Sequence, residues 1–318
     1  MKNKEIISFI IPCYNSTKTL PTVIEEIGST MESLKNEFDY EVVLVNDCSP
    51  DGTTFQTICS LAETNNKIKG INLARNFGQP SAVMAGLSIT KGDYIVCGDD
   101  DGQTPFCELP KFIEKIKQGY DAVEAKYSIR EKRSFFRKFG TFMNDCMSTW
   151  LVNKPKGLVL TSFWMIRRFV AEEMLKYPNS YPYIGGLIIR STQKICNVEV
   201  THRERIEGES GYSLKKMLHL WLNGFTSFSV KPLRLLIVLG ILTASIGFVI
   251  GTIVIIQKIQ SPNIVAGYSS IMSIMLFLFG LVFMILGMLG EYIGRIFISL
   301  NNAPQFVIRD LVNVEEEK

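Results

Sequence analysis

Short apolar runs and longer amphipathic stretches take turns along the first 230 residues. The run "EIISFIIP" (5–12) is β-branched, apolar and closed by proline, which predicts a buried strand. "YEVVLVN" (40–46) and "DYIVCG" (93–98) predict two more, and "KIKGINL" (67–73) a weaker one between them. The separating stretches have helical length. From Leu20 to Leu34, for example, Val23, Ile24, Ile27 and Met31 recur at helical spacing. Strands alternating with helices predict an α/β fold with a mostly parallel sheet covered on both faces.

Beyond residue 230 the pattern changes. Residues 235–256 carry no charge and would span about 33 Å as a helix. Residues 271–290 form a second uncharged run of sufficient length. Two such runs together predict a two-helix transmembrane hairpin rather than core helices. Lys258 is the only charge between them, whereas Lys215, Lys216, Lys231, Arg234, Arg295 and Arg309 lie on the other side. Positive charge stays cytoplasmic, so both termini and the α/β part are expected in the cytosol, at the cell membrane. Just before the hairpin, Leu214, Met217, Leu218, Trp221, Phe225 and Phe228 fall at helical spacing opposite Lys215, Lys216, His219 and Asn223. That is the pattern of an interfacial helix. Residues 132–151 have a similar aromatic stripe after a basic start, read equally well as a bilayer-surface helix or as a solvated charged face. The expected domains are 1–210 (cytosolic), 211–234 (amphipathic), 235–290 (hairpin) and 291–318 (cytosolic tail).

Composition refines this picture. Thirty-four Lys and Arg against 31 Asp and Glu give a net charge of +3, with no reason to expect nucleic acid as a partner. Seven cysteines without CxxC pairs favour reduced thiols over a disulfide framework or a zinc site.

Chemistry concentrates at the predicted strand ends: "PCYNS" after the first, "NDCSPDGT" after the second and "DDDGQTP" after the later one. In a parallel sheet these loops gather on one edge, where ligands bind. Neither GxGxxG nor GxxxxGK[ST] occurs, so the usual Gly-rich phosphate cradles are missing. An acidic site would instead bind phosphate through Mg²⁺ or Mn²⁺, which prefer oxygen ligands. On an extended loop Asp99 and Asp101 would face the same way with Gln103 in register, leaving Asp100 pointed off and solvated.

The ordered motifs "IIPCYN", "VLVNDCSPDGT", "LARNFGQPSAVMAGLSITKGDYIVCGDDDGQTP", "GESGYSLKKM" and "FTSFSVKPLRL" resemble those of the family-2 inverting glycosyltransferases, and within them the polyprenyl-phosphate glycosyltransferases. The likeness runs through essentially the whole chain. It implies a GT-A nucleotide-sugar-binding fold and transfer of a sugar from a nucleotide sugar, UDP-linked in bacterial relatives, to undecaprenyl phosphate. By the same resemblance Pro12, Tyr14 and Asn15 line the nucleotide pocket and Asp47 meets the base. Asp99 touches the ribose or metal, Asp100 is counted with the nucleotide-sugar site, and Asp101 and Gln103 complete the metal ligands. Arg205, Ser210 and Tyr212 match a mobile loop that closes over the diphosphate. Ser210 and Tyr212 are also grouped with Arg137 and Thr141 as lipid-phosphate contacts. Asp101 and Arg205 would carry catalysis.

Some positions depart from the pattern. Asn46 replaces the first of two usual aspartates, Ser16 an acidic residue, Cys48 a glycine and Gly102 a leucine. Several relatives carry an aspartate where Ser162 stands. A hydroxyl acceptor would need a general base, but a lipid phosphate, largely dianionic near neutrality, does not. Transfer to another membrane lipid such as diacylglycerol, and a membrane-anchored protein that binds sugar nucleotides without turnover, are the rival readings. A processive synthase is disfavoured because no Q-x-x-R-W occurs. Gly247 and Gly251 form a small-xxx-small face open to the second span or to another protomer.

Overall fold

The structure is a computed structural model. It describes residues 4–128, 149, 154–155, 157–180, 182–201, 203, 231–260, 267–300 and 304–314. The expected interfacial and basic segments, with Arg137, Thr141, Arg205, Ser210 and Tyr212, lie outside the described residues. The chain divides into two units, Met1–Met217 with Asn302–Lys318, and Leu218–Asn301.

The first unit is built on an eight-stranded sheet. Its strands are β1 (Glu5–Cys13), β2 (Phe38–Asn46), β3 (Ile68–Leu73), β4 (Tyr94–Cys97), β5 (Ala122–Tyr127), β6 (Trp164–Arg167), β7 (Ile195–Val200) and β8 (Ile308–Val312), in the spatial order β7-β5-β6-β4-β1-β2-β3-β8. Strands β4, β1, β2 and β3 are mutually parallel; β6 and β8 join antiparallel, and β5 pairs parallel with β7. The parallel centre explains the unbroken apolar runs, because Ile7 to Cys13 and Val42 to Asn46 are buried from both faces.

Helices α1 (Leu20–Leu34), α2 (Thr54–Thr64) and α4 (Leu109–Lys117) share one hydrophobic core with β1 residues Ile7, Phe9 and Ile11. On α1 the buried positions Leu20, Val23, Ile27 and Met31 keep the spacing read in the sequence. Ile10 points the other way, towards α3 (Gln79–Ile89). A side chain at Gly86 would come within 2.5 Å of Ile10 Cγ2, so α3 packs close only because residue 86 has no Cβ. Helices α5 (Arg168–Leu175) and α6 (Ile184–Ser191) flank β6 and β7 in sequence.

The second unit holds α7 (Lys231–Gln260) and α8 (Tyr268–Leu300). Among the described residues one helix is long and apolar enough to cross a membrane, α8, over Phe277–Gly294 with mean hydropathy 1.9; α7 contributes a shorter apolar stretch, Gly240–Val249. Large apolar side chains stand exposed along both, including Phe248 at 76% and Phe283 at 70%. The tail beyond α8 supplies β8, which the expected tail did not include.

Candidate active site at the carboxyl edge of the sheet

Strand order reverses at β1: β2 and β3 lie on one side and β4 on the other. The loops after β1 and β4 therefore diverge above a crevice, where ligands of open α/β sheets bind. Asp100 bridges it. Its Oδ2 accepts the Tyr14 backbone N–H at 3.0 Å and the Ser16 hydroxyl in a short hydrogen bond. The expectation of a solvated Asp100 is thus corrected. Alternation holds only for extended chain, and here the backbone bends through Asp100–Gly102, with Gly102 at φ +78°. Burial, against the Ser16 and Tyr14 hydrogen bonds and assisted by the charges of Asp99 and Asp101, pushes the Asp100 carboxyl up to about 6.

The rest of the acidic loop is pinned. Thr104 Oγ1 accepts the Asp99 N–H at 2.9 Å, and Asp101 Oδ1 accepts the Gln103 N–H at 3.0 Å. Asp99 Oδ1 accepts from Gln79 Nε2 at 2.9 Å, while Oδ2 takes a short hydrogen bond from Ser162 Oγ. Gln103 Nε2 donates to the Arg203 carbonyl at 3.2 Å. Phe106 then anchors the loop in the core between Phe9 and Phe163, with ring centroids 6.0 and 5.7 Å away. A Cβ at Gly98 would lie 2.5 Å from Phe106 Cζ, so the loop can leave β4 only through glycine. Tyr127, at the end of β5, has its phenol pushed up by burial, with Asp99 and Asp101 adding to it.

The loop after β2 faces the same crevice. Asp47 is buried; Oδ1 accepts the Phe77 N–H at 2.7 Å and Oδ2 the Gly78 N–H at 2.8 Å, at the start of α3. Burial raises its carboxyl above the usual range despite these two bonds. Asp51 Oδ1, just ahead of α2, accepts the N–H groups of Thr53 and Thr54, each at 3.2 Å. Asn15, at φ 58°, donates its N–H to Ser49 Oγ at 3.1 Å. Pro12 is buried in β1 beside Val45, and Tyr14 stands half-exposed at the rim.

The structure thus brings Tyr14, Asn15, Asp47, Asp99, Asp100, Asp101 and Gln103 to one edge. Sequence reasoning missed Gln79, Thr104 and Tyr127 as neighbours of the acidic loop. A Gln one residue past a helix-opening glycine, "FGQP", was the only available signal for the first. Among the described residues no three His, Cys, Asp or Glu side chains gather tightly enough to cage a metal alone. The carboxylates of Asp99 and Asp101 with the Gln103 amide, on one short loop at a ligand edge, still fit a hard cation that takes further oxygens from a substrate's phosphates. Every cysteine among the described residues is a free thiol.

Residues 8–190 match the family model described as "Glycosyl transferase family 2", and residues 231–296 that described as "GtrB C-terminal hairpin". The chain is 32% identical over 311 residues to an uncharacterized glycosyltransferase, YkcC, of Bacillus subtilis, covering 98% of this chain and 95% of that protein. It is 32% identical over 308 residues to the undecaprenyl-phosphate 4-deoxy-4-formamido-L-arabinose transferase of Photorhabdus laumondii, covering 96% and 94%. Among solved structures it resembles glucosyl-3-phosphoglycerate synthase from Mycobacterium tuberculosis, crystallised with Mn²⁺, UDP-glucose and phosphoglyceric acid. That likeness has a TM-score of 0.52 at 18% identity and covers 70% of this chain and 78% of the other. It shows a common GT-A-like fold.

Proposed function

We propose, for a chain that belongs to glycosyl transferase family 2, that it moves a sugar from a nucleotide sugar to the phosphate of a polyprenyl lipid at the membrane surface. The observation that carries this reading is the acidic loop after β4, lashed to the loop after β1 across the point where strand order reverses. The undecaprenyl-phosphate acceptor is named in the relatives, and the uridine nucleotide in the GT-A-like neighbour.

In this reading the nucleotide lies against Pro12, Tyr14, Asn15 and Asp47. Asp99, Asp101 and Gln103 would hold Mg²⁺ or Mn²⁺, which when bound offsets the negative charge of the diphosphate. Arg205 supports the same charge from the loop of Ser210 and Tyr212, and Arg137 and Thr141 meet the lipid phosphate. An acceptor phosphate oxygen forms the new bond to the anomeric carbon while the bond to the nucleotide diphosphate breaks. Attack from the opposite face inverts the carbon.

The acceptor needs no base, and the residues around Ser162 are consistent with that. Ser162 donates its hydroxyl to Asp99. The carboxyl that Thr161 hydrogen-bonds, Glu124, is buried and held near 8, so it is protonated at neutral pH. A hydroxyl acceptor such as diacylglycerol would have to use the carboxylate beside Ser162, Asp99, which this reading assigns to the metal. The apolar exposure of α7 and α8, together with the match to the GtrB hairpin, supports a two-span anchor, and the placement of Lys and Arg around it supports cytosolic termini.

The test is acceptor choice. The detergent-purified chain is offered undecaprenyl phosphate and diacylglycerol in parallel with labelled UDP-sugars and Mn²⁺. The proposal expects label in an acid-labile phosphodiester of the prenyl lipid. An acid-stable glycolipid from the diacylglycerol arm would refute it.

A further inference from the structure

We propose that the C-terminal strand braces the donor site, with Asp310 of β8 a positioning residue that sets the loop after β2 against the loop after β1. The proposal rests on the reading above for what the two loops bind, but its geometry stands apart from that reading.

Asp310 lies opposite Asn72 in the antiparallel β3–β8 register, and Asn72 lies opposite Asn46 in the parallel β2–β3 register. Their side chains form one continuous line. Asn72 Nδ2 donates to Asp310 Oδ2 at 2.7 Å. Asn46 Nδ2 donates to Asn72 Oδ1 at 2.8 Å. Asn46 Oδ1 accepts the Ser49 hydroxyl at 2.6 Å and the Ser49 N–H at 3.2 Å. Ser49 Oγ in turn accepts the Asn15 N–H at 3.1 Å. Every donor along the line points from the β1 loop towards β8.

The two ends dictate that sense. Backbone N–H groups can only donate, and at the other end Asp310 Oδ2 accepts. Each link between them has to donate on one side and accept on the other. An amide does this at 46 and 72; a carboxylate, which has no donor when ionised, cannot. Asn46 is buried, so a wrong atom there meets no water to compensate. Arg309 sits 3.9 Å from Asp310 at the exposed edge and donates nothing along the line. The strand is tied down independently by Asn313, whose Nδ2 donates to the Ala62 and Ile68 carbonyls at 2.7 and 3.1 Å. Asp310 is therefore presented by a strand that the chain makes only after its second long helix.

The arrangement gives a rescue test with two separate entries. Asn46→Asp puts an acceptor against Asn72 Oδ1; if Asn72 turns over, its oxygen meets Asp310 instead. Asp310→Asn supplies the missing donor and lets the turned-over line close. Asn72→Asp sets two carboxylates against each other at the outer link, and the same Asp310→Asn change relieves it. On full-length protein in detergent, Asn46→Asp is expected to raise the KM for the nucleotide sugar about ten-fold with kcat within two-fold. Adding Asp310→Asn should return KM to within three-fold of the native value. Asn72→Asp, half-exposed, carries the test if Asn46→Asp does not fold, with the same rescue.

Amide hydrogen exchange of the peptides covering 14–16 and 47–50 gives a readout that needs no substrate. Exchange should accelerate in either single variant and recover in the double. Double variants no better than the singles in exchange would overturn the inference. If exchange behaves as expected while native protein binds no nucleotide, the positioning stands and the donor reading falls.

Discussion

Glu124 is fully buried on β5; its Oε2 accepts the Thr161 N–H at 2.9 Å, and its Oε1 meets no partner. Burial, against the hydrogen bonds from Thr161, pushes the carboxyl from 4.5 to about 8. Folded protein therefore keeps a proton that the unfolded chain releases above pH 4.5. The resulting stability is complete below that value, declines as pH rises and is exhausted above about 8. Its ceiling is on the order of 4–5 kcal/mol. Glu124→Gln should flatten the fall in denaturant midpoint between pH 5 and 8; an unchanged slope would place the proton elsewhere. Ser162 offers a second test at this scale. Ser162→Ala should cost a few-fold in transfer rate, and Ser162→Asp at least ten-fold, because a second carboxylate would face Asp99. Higher activity in Ser162→Asp would point to a missing base. The acidic residues themselves were legible as a triplet after a strand. What the triplet's middle member does was not, because its partners, the Tyr14 N–H and the Ser16 hydroxyl, lie more than 80 residues away in the chain.

Among elements, the strands read at 5–12, 40–46, 67–73 and 93–98 appear at Glu5–Cys13, Phe38–Asn46, Ile68–Leu73 and Tyr94–Cys97. β1, β2 and β4 were legible because strands buried on both faces need apolar residues without interruption; β3 was weaker because Lys69 and Asn72 are only partly buried. β8 was not. It is a five-residue edge strand with three exposed positions, so its composition follows solvent and not a core. Pairing by register across more than 200 residues leaves no local signal. The turn holding Phe106 joins element to site. Phe106→Ala should cost about 3–5 kcal/mol from the aromatic cluster, read as a fall in melting temperature. It should also raise the donor KM, since the acidic loop loses its anchor. A variant destabilised to that extent with native KM would separate the loop's geometry from the core beneath it.

For the whole molecule, composition divided the chain near residue 230, and the unit of Leu218–Asn301 carries the exposed apolar helices. If these helices span a bilayer as proposed, their hydropathy is legible because a bilayer imposes it on every residue it touches. The sugar was not legible, because glucose, galactose and amino sugars differ by single groups that individual pocket side chains read. The protein is expected to stay with membranes through alkaline washing and to enter solution only with detergent, measured by its distribution after sedimentation. Release by alkali would argue against spanning helices.

Transfer of sugar to a lipid phosphate at this carboxyl edge is the activity on which the proposed function rests. The most direct measurement follows label from a panel of nucleotide sugars into undecaprenyl phosphate with purified full-length protein and Mn²⁺ or Mg²⁺, beside Asp101→Ala and a chelator control. Lipid-linked label is expected from one donor, lost with chelator and reduced at least a hundred-fold in Asp101→Ala. Metal-dependent binding of UDP with no transfer from any donor, or full transfer by Asp101→Ala, would contradict the proposed function.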